Sequence, residues 1–355
     1  MSNRKIKVLI VEDSAVAQRL LKTLVESDER FELVAVAVNG KQACEFVVKF
    51  RPDVVSMDIL MPVMDGVEAT RRIMQETPVP IVIVSSYYQS SELEMAMRVL
   101  KAGAVSIITR PNGPGHSKYE QSSRQYLNTL KLMSEISVVK RGKEKTAPLP
   151  VSPVQLPASS KINIPEPGGF RALAIGASAG GPEGLSTILS GLPAGFPVPV
   201  FVVQHIDSHF AEGFATWLNS FSELPVSIAV NGEKAMPGRV YLAPGNHHLS
   251  LSPGGTLCTH KEMPVNSSRP SVDVLFNSLA QVYGKNTLAV LLSGMGKDGA
   301  EGLKKLYDAG AFTLAQEESS CLVYGMPGEA VKLGAVCKVL TPDNILLEIN
   351  RLINK

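Results

Sequence analysis

Short apolar runs alternate along most of this chain with stretches whose apolar residues recur at helical spacing. In the first part, Lys7–Val11, Phe31–Val38, Val54–Met57, Ile81–Val84 and Val105–Ile108 read as strands. Amphipathic stretches such as Ala15–Glu26, with leucines at 20, 21 and 24, and Gly40–Phe50 read as the helices between them. From residue 169 the alternation resumes. Strands are predicted at Ala172–Ile175, Val198–Val203, Val226–Val230, Arg239–Leu242, Thr287–Leu292 and Ala311–Ala315. Helices are predicted at Pro182–Leu189, Phe210–Phe221, Val272–Tyr283, Gly299–Ala309, Met326–Leu333 and Asp343–Ile353. Strands alternating with helices imply parallel sheets covered on both faces, so the predicted fold class is α/β with two doubly wound domains.

Between the two parts the pattern fails. Val138-Val-Lys-Arg-Gly-Lys-Glu-Lys145 leads into prolines at 148, 150, 153, 157, 165 and 167. Repeated prolines without apolar periodicity build no core and hold a chain semi-extended. The expected division is therefore 1–136, a linker over 137–168, and 169–355. A length of 355 residues suits two such domains. With 45% hydrophobic and 19% charged residues, the balance is that of a soluble globular protein. A net charge of +2 gives no reason to expect nucleic acid or an anionic membrane surface as the main partner. No apolar run approaches a membrane span, so no direct membrane insertion is expected. The first residues enter a strand without a signal-peptide core. The scattered Cys44, Cys258, Cys321 and Cys337 form no C-x-x-C pair and read as free thiols in a reducing cytoplasm.

Functional groups in doubly wound sheets gather at the carboxyl ends of strands. Glu12 and Asp13 end the first predicted strand and Asp58 ends the third. Carboxylates brought together there repel one another unless a hard cation such as Mg²⁺ neutralises them, and such a pocket can place a carboxylate to accept a phosphoryl group. The plainer alternative is three loop acids that cap helices.

In the second part, Arg171-Ala-Leu-Ala-Ile-Gly-Ala-Ser-Ala-Gly-Gly-Pro182 is an apolar strand, a small-residue turn and a helix start. It satisfies G-x-S-x-G, which projects a serine hydroxyl (here Ser178) above a parallel sheet. Turns of this kind also bind phosphates or simply pack. A serine needs a base and the base an orienting acid. His205 follows the strand Val200-Phe-Val-Val-Gln204 and so shares the topological position of Ser178. Of the six histidines, His116 lies in the first domain, His260 in a loop and His209 near a helix start. His247 and His248, after Ala243-Pro-Gly-Asn246, could line the cleft, although paired histidines in a turn are more often solvated. Asp298, in the glycine-rich Leu291-Leu-Ser-Gly-Met-Gly-Lys-Asp-Gly299, is the candidate acid, although capping the next helix is a common task for such a residue. The order Ser178, His205, Asp298 differs from the serine–acid–histidine order of ordinary α/β-hydrolases.

Several segments together resemble known families. Val11-Glu-Asp-Ser14, Met57-Asp-Ile-Leu-Met-Pro-Val-Met-Asp-Gly66, Val84-Ser-Ser86 and Lys101-Ala-Gly-Ala-Val-Ser-Ile-Ile-Thr-Arg-Pro111 resemble a two-component receiver domain over residues 5–136. That resemblance implies a flavodoxin-like domain with Asp58 as phosphoacceptor. It also implies Glu12 and Asp13, with Asp58, as the acids that bind Mg²⁺, and Ser85 as a switch hydroxyl. Receivers usually carry a lysine where this chain has Arg110, whose planar fork is not interchangeable with an ammonium; we expect Arg110 to take over the lysine's role. Ile175-Gly-Ala-Ser-Ala-Gly-Gly-Pro182, Val203-Gln-His205, Tyr241-Leu-Ala-Pro-Gly245, Arg269-Pro-Ser-Val-Asp-Val-Leu-Phe276, Gly294-Met-Gly-Lys-Asp-Gly-Ala300 and Tyr324-Gly-Met-Pro327 resemble the catalytic domain of chemotaxis protein-glutamate methylesterases.

By that resemblance Ser178 is nucleophile, His205 general base and then acid, and Asp298 the orienting carboxylate. The family often has threonine where this chain has Ala179, which leaves a backbone N–H; the amides of Ala179 and Met295 are the expected oxyanion donors. The implied reaction frees methanol from glutamate γ-methyl esters on the cytoplasmic part of chemoreceptors and deamidates particular receptor glutamines, with no cofactor for hydrolysis. A chemotaxis histidine kinase is the implied phosphodonor, and the resemblance implies a resting receiver that covers the active-site cleft. A regulator whose second domain only binds a partner, a small-molecule esterase and a DNA-binding regulator are the rivals. The last is disfavoured by the absence of a basic patch and a helix-turn-helix output.

Overall fold

A computed structural model describes residues 4–85, 90–136, 138 and 169–353. The linker expected over 137–168 lies, apart from residue 138, outside the described residues, and so does Ser86 of the receiver-like motif. The chain divides into two compact units, Met1–Lys145 and Thr146–Lys355.

The first unit runs β1 (Ile6–Val11), α1 (Ala15–Glu26), β2 (Phe31–Ala37), α2 (Gly40–Phe50), β3 (Val54–Met57), α3 (Gly66–Glu76), β4 (Ile81–Ser85), α4 (Ser90–Ala102), β5 (Ser106–Thr109) and α5 (Tyr119–Ser134). Helix starts are set locally. Ser14 accepts from Ala17 N–H, Asn39 from Gln42 N–H and Asp65 from Glu68 N–H, each satisfying a donor that the first turn leaves free. Strand β2 stops one residue short of the prediction because Val38 N–H turns to Gln42 Oε1 (3.1 Å) at the start of α2. The strands pair in parallel in the order β2-β1-β3-β4-β5, as in a flavodoxin-like sheet. Val8, Leu9, Ile10, Val54, Val55 and Ile81 are buried because helices cover both faces. The order reverses beside β1, so a crevice opens at the carboxyl ends of β1 and β3.

The second unit continues with β6 (Ala172–Ala177), α6 (Gly181–Ser190), β7 (Val200–Gln204), α7 (Ala211–Asn219), β8 (Val226–Ile228), β9 (Val240–Leu242), β10 (His248–Ser252), β11 (Thr256–His260) and α8 (Val272–Val282). It ends with β12 (Thr287–Leu291), α9 (Ala300–Asp308), β13 (Phe312–Gln316), α10 (Met326–Lys332), β14 (Lys338–Leu340) and α11 (Pro342–Ile353). A seven-stranded sheet has the order β14-β13-β12-β6-β7-β9-β8, with every ladder parallel. After β6 the chain goes to β7 on one side and returns to β12 on the other, which puts the topological switch at the end of β6.

Strands β10 and β11 form a separate antiparallel hairpin that the sequence pattern did not predict. Gly254 and Gly255, both at positive φ, close its turn. Its apolar side, Leu249, Leu251 and Leu257, joins the core beneath α8 with Leu275, Phe276 and Leu279. The hairpin corrects the loop position given to His260 and the solvated position given to His248; His248 opens β10 with its side chain fully buried.

Candidate functional site

Ser178 and His205 are brought together by sheet register. Ala177 and Gln204 are paired across β6 and β7, and the next residue on each strand is the candidate nucleophile and base. His205 N–H donates to Ala177 O (3.0 Å), so the two strand ends stay laced one step beyond the ladder. Ser178 N–H donates to Ser293 O (3.0 Å), while its own carbonyl accepts from Gly181 N–H (2.8 Å) and Gln204 Nε2 (2.9 Å). That lacing fixes the turn and leaves Ser178 half-buried. Space is tight: a Cβ on Gly294 would lie 2.8 Å from Ser178 Cβ, and one on Gly180, at φ +77°, 2.4 Å from Leu322 Cβ.

Asp298 reaches this place from the other side, through the loop after β12, the neighbour of β6. Its Oδ2 lies 2.8 Å from His205 Nε2, with the imidazole 17% exposed and the carboxylate 3%. With Nε2 on the carboxylate, Nδ1 is the ring nitrogen left to face an incoming proton. No hydrogen bond joins Ser178 Oγ to His205 among the described residues. In enzymes without substrate that bond is often long and tightens on binding.

The capping alternative for Asp298 is met in an unexpected form. Its own helix α9 is capped by Gly299, at φ +86°, without a side-chain bond. Asp298 instead sits at the start of α8, accepting from Val272 N–H (2.8 Å), Asp273 N–H (3.3 Å) and Ser271 Oγ (2.7 Å). Burial pushes this carboxyl up, but the bonds from His205, Ser271 and Val272 outweigh burial and hold it below the usual range. It is thus a charged acceptor beside the imidazole at neutral pH.

Ala179 and Met295 flank the serine on two loops. Neither backbone N–H donates to another described residue, so both are available to an oxyanion. The loops are tied together by Ser293, whose Oγ donates to Ala179 O (2.7 Å) and accepts from Val323 N–H (3.0 Å). Ser293 N–H in turn meets Gln316 Oε1 at 2.8 Å. The sequence reading missed Ser293, Gln316, Gln204 and Ser271, and offered His248 only as a residue that could line the cleft. Ser271 alone among them carries a local signal, a serine that follows proline and precedes an apolar helical stretch.

In the first unit, β1 pairs with β3 so that Val11 faces Met57, and Glu12, Asp13 and Asp58 follow directly. One carboxylate oxygen from each lies within 4.8 Å of the others. Burial raises Glu12 to about 7, and Asp58 beside it adds to the rise. Burial also raises Asp58, against the pull of Arg110. Arg110 Nη2 is 3.0 Å from both Glu12 Oε2 and Asp58 Oδ2. Glu12 Oε2 is buried without a well-directed hydrogen bond, so its contact with Arg110 is ionic rather than directional. Clustered acidic oxygens of this kind, one of them incompletely satisfied, suit a hard cation such as Mg²⁺. Ser85, buried at the end of β4, accepts from Arg110 N–H through its carbonyl (2.9 Å).

Residues 173–349 match the family model for the CheB methylesterase, and residues 8–118 that for the response regulator receiver domain. Protein-glutamate methylesterase/protein-glutamine glutaminase 4 of Geobacter metallireducens is 45% identical over 348 residues, which is 98% of this chain and 99% of that protein. A protein of the same name from Myxococcus xanthus is 44% identical over 344 residues, 97% and 96% of the two chains. The crystal structure of the Thermotoga maritima CheB methylesterase catalytic domain matches with a TM-score of 0.50 and 38% identity, covering 52% of this chain and 99% of that one.

Proposed function

We propose, from the premise that this chain belongs to the family of receiver-linked protein-glutamate methylesterases/protein-glutamine glutaminases, that Ser178, His205 and Asp298 perform its hydrolysis. The enzyme removes methyl groups from glutamate γ-methyl esters of chemoreceptors and releases methanol, and its receiver places that activity under phosphorylation. Deamidation of receptor glutamines follows the same path with ammonia leaving.

Ser178 Oγ attacks the ester carbonyl while its proton passes to His205 Nδ1. The Nε2–H is held on Asp298, which stabilises the imidazolium that forms. The tetrahedral oxyanion accepts from Ala179 and Met295 N–H. Collapse breaks the C–O bond, and the imidazolium gives its proton to the departing methoxide as methanol. Water, deprotonated by His205, then attacks the acyl-serine and frees the γ-carboxylate. As the acyl C–O bond breaks, the imidazolium returns its proton to Ser178 Oγ, so each half-reaction loads and unloads His205 once and every group ends in its starting state.

In the receiver (residues 1–136), Asp58 is the phosphoacceptor, and Glu12, Asp13 and Asp58 would hold Mg²⁺. The ion would offset charge between the carboxylate and the arriving phosphoryl group. A histidine kinase is the donor class, and Arg110 and Ser85 are the residues that read the phosphoryl group. The catalytic domain is assigned to 169–355, joined by the linker 137–168.

The observation that carries the catalytic reading is the His205–Asp298 bond of 2.8 Å one strand away from Ser178. Methanol release from methylated receptor, with and without phosphodonor, tests it. Ser178→Ala should lower kcat by a factor on the order of 10⁴ or more. Substantial methanol release by that variant would overturn the assignment.

A further inference from the structure

We infer that Ser271 and His248 are positioning residues for this hydrolysis, extending the hydrogen-bonded line behind Asp298. The inference rests on the catalytic reading of Ser178, His205 and Asp298 given above.

Asp298 sits in a loop with Gly296 and Gly299 at positive φ, a segment with little stiffness of its own. Its carboxylate therefore needs outside support, and the start of α8 supplies it. Ser271 is fully buried at the N-cap of α8, in extended backbone, yet its side chain makes no cap bond to its own helix. An N-cap serine ordinarily accepts from the second or third N–H of the helix. Here the hydroxyl donates to Asp298 Oδ1 (2.7 Å), and the carboxylate takes the helix donors instead. Serine and aspartate have in effect exchanged the usual task.

His248 fixes Ser271 from behind. Its Nδ1 accepts Ser271 N–H (3.2 Å), which puts the ring proton on Nε2, where it donates to Met263 O (3.1 Å). The ring is fully buried. Burial lowers its pKa, with nearby His260 and Arg269 acting in the same direction and the Met263 carbonyl and Asp298 opposing them. The neutral form is the one the geometry requires, because an Nδ1–H would meet the Ser271 N–H head on. The line thus runs His248, Ser271, Asp298, His205. Among the described residues no hydrogen bond joins Ser271 or His248 to Ser178, and the bonds they make lead to it through Asp298 and His205. Asn266 Nδ2 adds a weaker hold, 3.4 Å from Asp298 Oδ1 and 2.7 Å from Asp273 Oδ2.

Kinetics of the full-length protein on methylated receptor test this. Ser271→Ala should lower kcat roughly 10- to 100-fold, the range for lost outer-shell support of an active group, with KM within about twofold. The low-field proton of His205 Nε2–H should shift in the same variant. At His248, two amides separate bonding from bulk. Asn copies the Nδ1 acceptor and should stay close to wild type. Gln copies only the Nε2 donor and should fall with Ser271→Ala. A folded Ser271→Ala protein with wild-type kcat would sink the inference. Should that variant fail to fold in a thermal scan, the His248→Asn and His248→Gln pair decides, and equal activities in the two refute it. Ser178→Ala serves as the reference. If it is inactive while Ser271→Ala is normal, only the positioning role falls; if it is active, the catalytic reading itself is wrong.

Discussion

Asp273 and Asp298 are near neighbours that the fold drives in opposite directions. Asp298 is held down by its donors, whereas burial raises Asp273 to about 6, with Asp298 and Glu301 adding to the rise. A raised carboxyl means that the folded chain keeps a proton which the unfolded chain has released. Its stabilising contribution is complete below the ordinary value of 3.8 and fades as pH rises towards 6. Unfolding free energies from urea titrations between pH 4 and 7 should therefore fall less steeply in Asp273→Asn than in wild type, by up to about 3 kcal/mol across the window. Parallel pH slopes for the two proteins would show that the burial effect is not felt. Ser178, His205, Glu12, Asp13 and Asp58 were legible as candidates one by one because each follows an apolar run, and the ends of parallel strands are where such sheets gather polar groups. The support by Ser271, His248 and Ser293 was not legible: each acts through a bond to a residue far away in sequence, and local composition carries no trace of that.

Helices and central strands were legible as elements because their apolar spacing is strong; α1 and α2 run as predicted, and most boundaries shift by only a residue or two. The β10–β11 hairpin escaped notice because its inward residues are few and its strands carry histidine, serine and threonine. Strand β14, three residues at the sheet edge, is too short to show a period. Helix α8, whose start holds the carboxylate of the proposed triad, packs closely against α9. A Cβ on Gly302 would lie 2.7 Å from Phe276 Cβ and 3.0 Å from Asp273 Oδ1. Gly302→Ala should push the two helices apart, costing about 1–3 kcal/mol of stability and lowering kcat several-fold by moving the start of α8. An unchanged melting temperature and kcat would mean that the helices yield without effect on Asp298.

The two units obey one rule: each places its charged groups where the strand order of a parallel sheet reverses. At this scale the receiver and the esterase are separable by substitution. Asp58→Ala should retain basal methanol release and lose stimulation by a small phosphodonor. Arg110→Ala, which removes the cation between Glu12 and Asp58, should blunt the same stimulation; full stimulation in that variant would show that Arg110 has no part in reading the phosphoryl group. Within the second unit, the serine, the imidazole and the carboxylate come from three separate stretches of chain, and the carboxylate is aimed by a fourth that begins a helix elsewhere. A nascent or half-refolded molecule therefore possesses a serine but no competent base, and stays chemically silent towards the esters of its surroundings. Hydrolytic power becomes a late event of maturation, and in a refolding time course it should return no sooner than the slowest change in far-ultraviolet ellipticity.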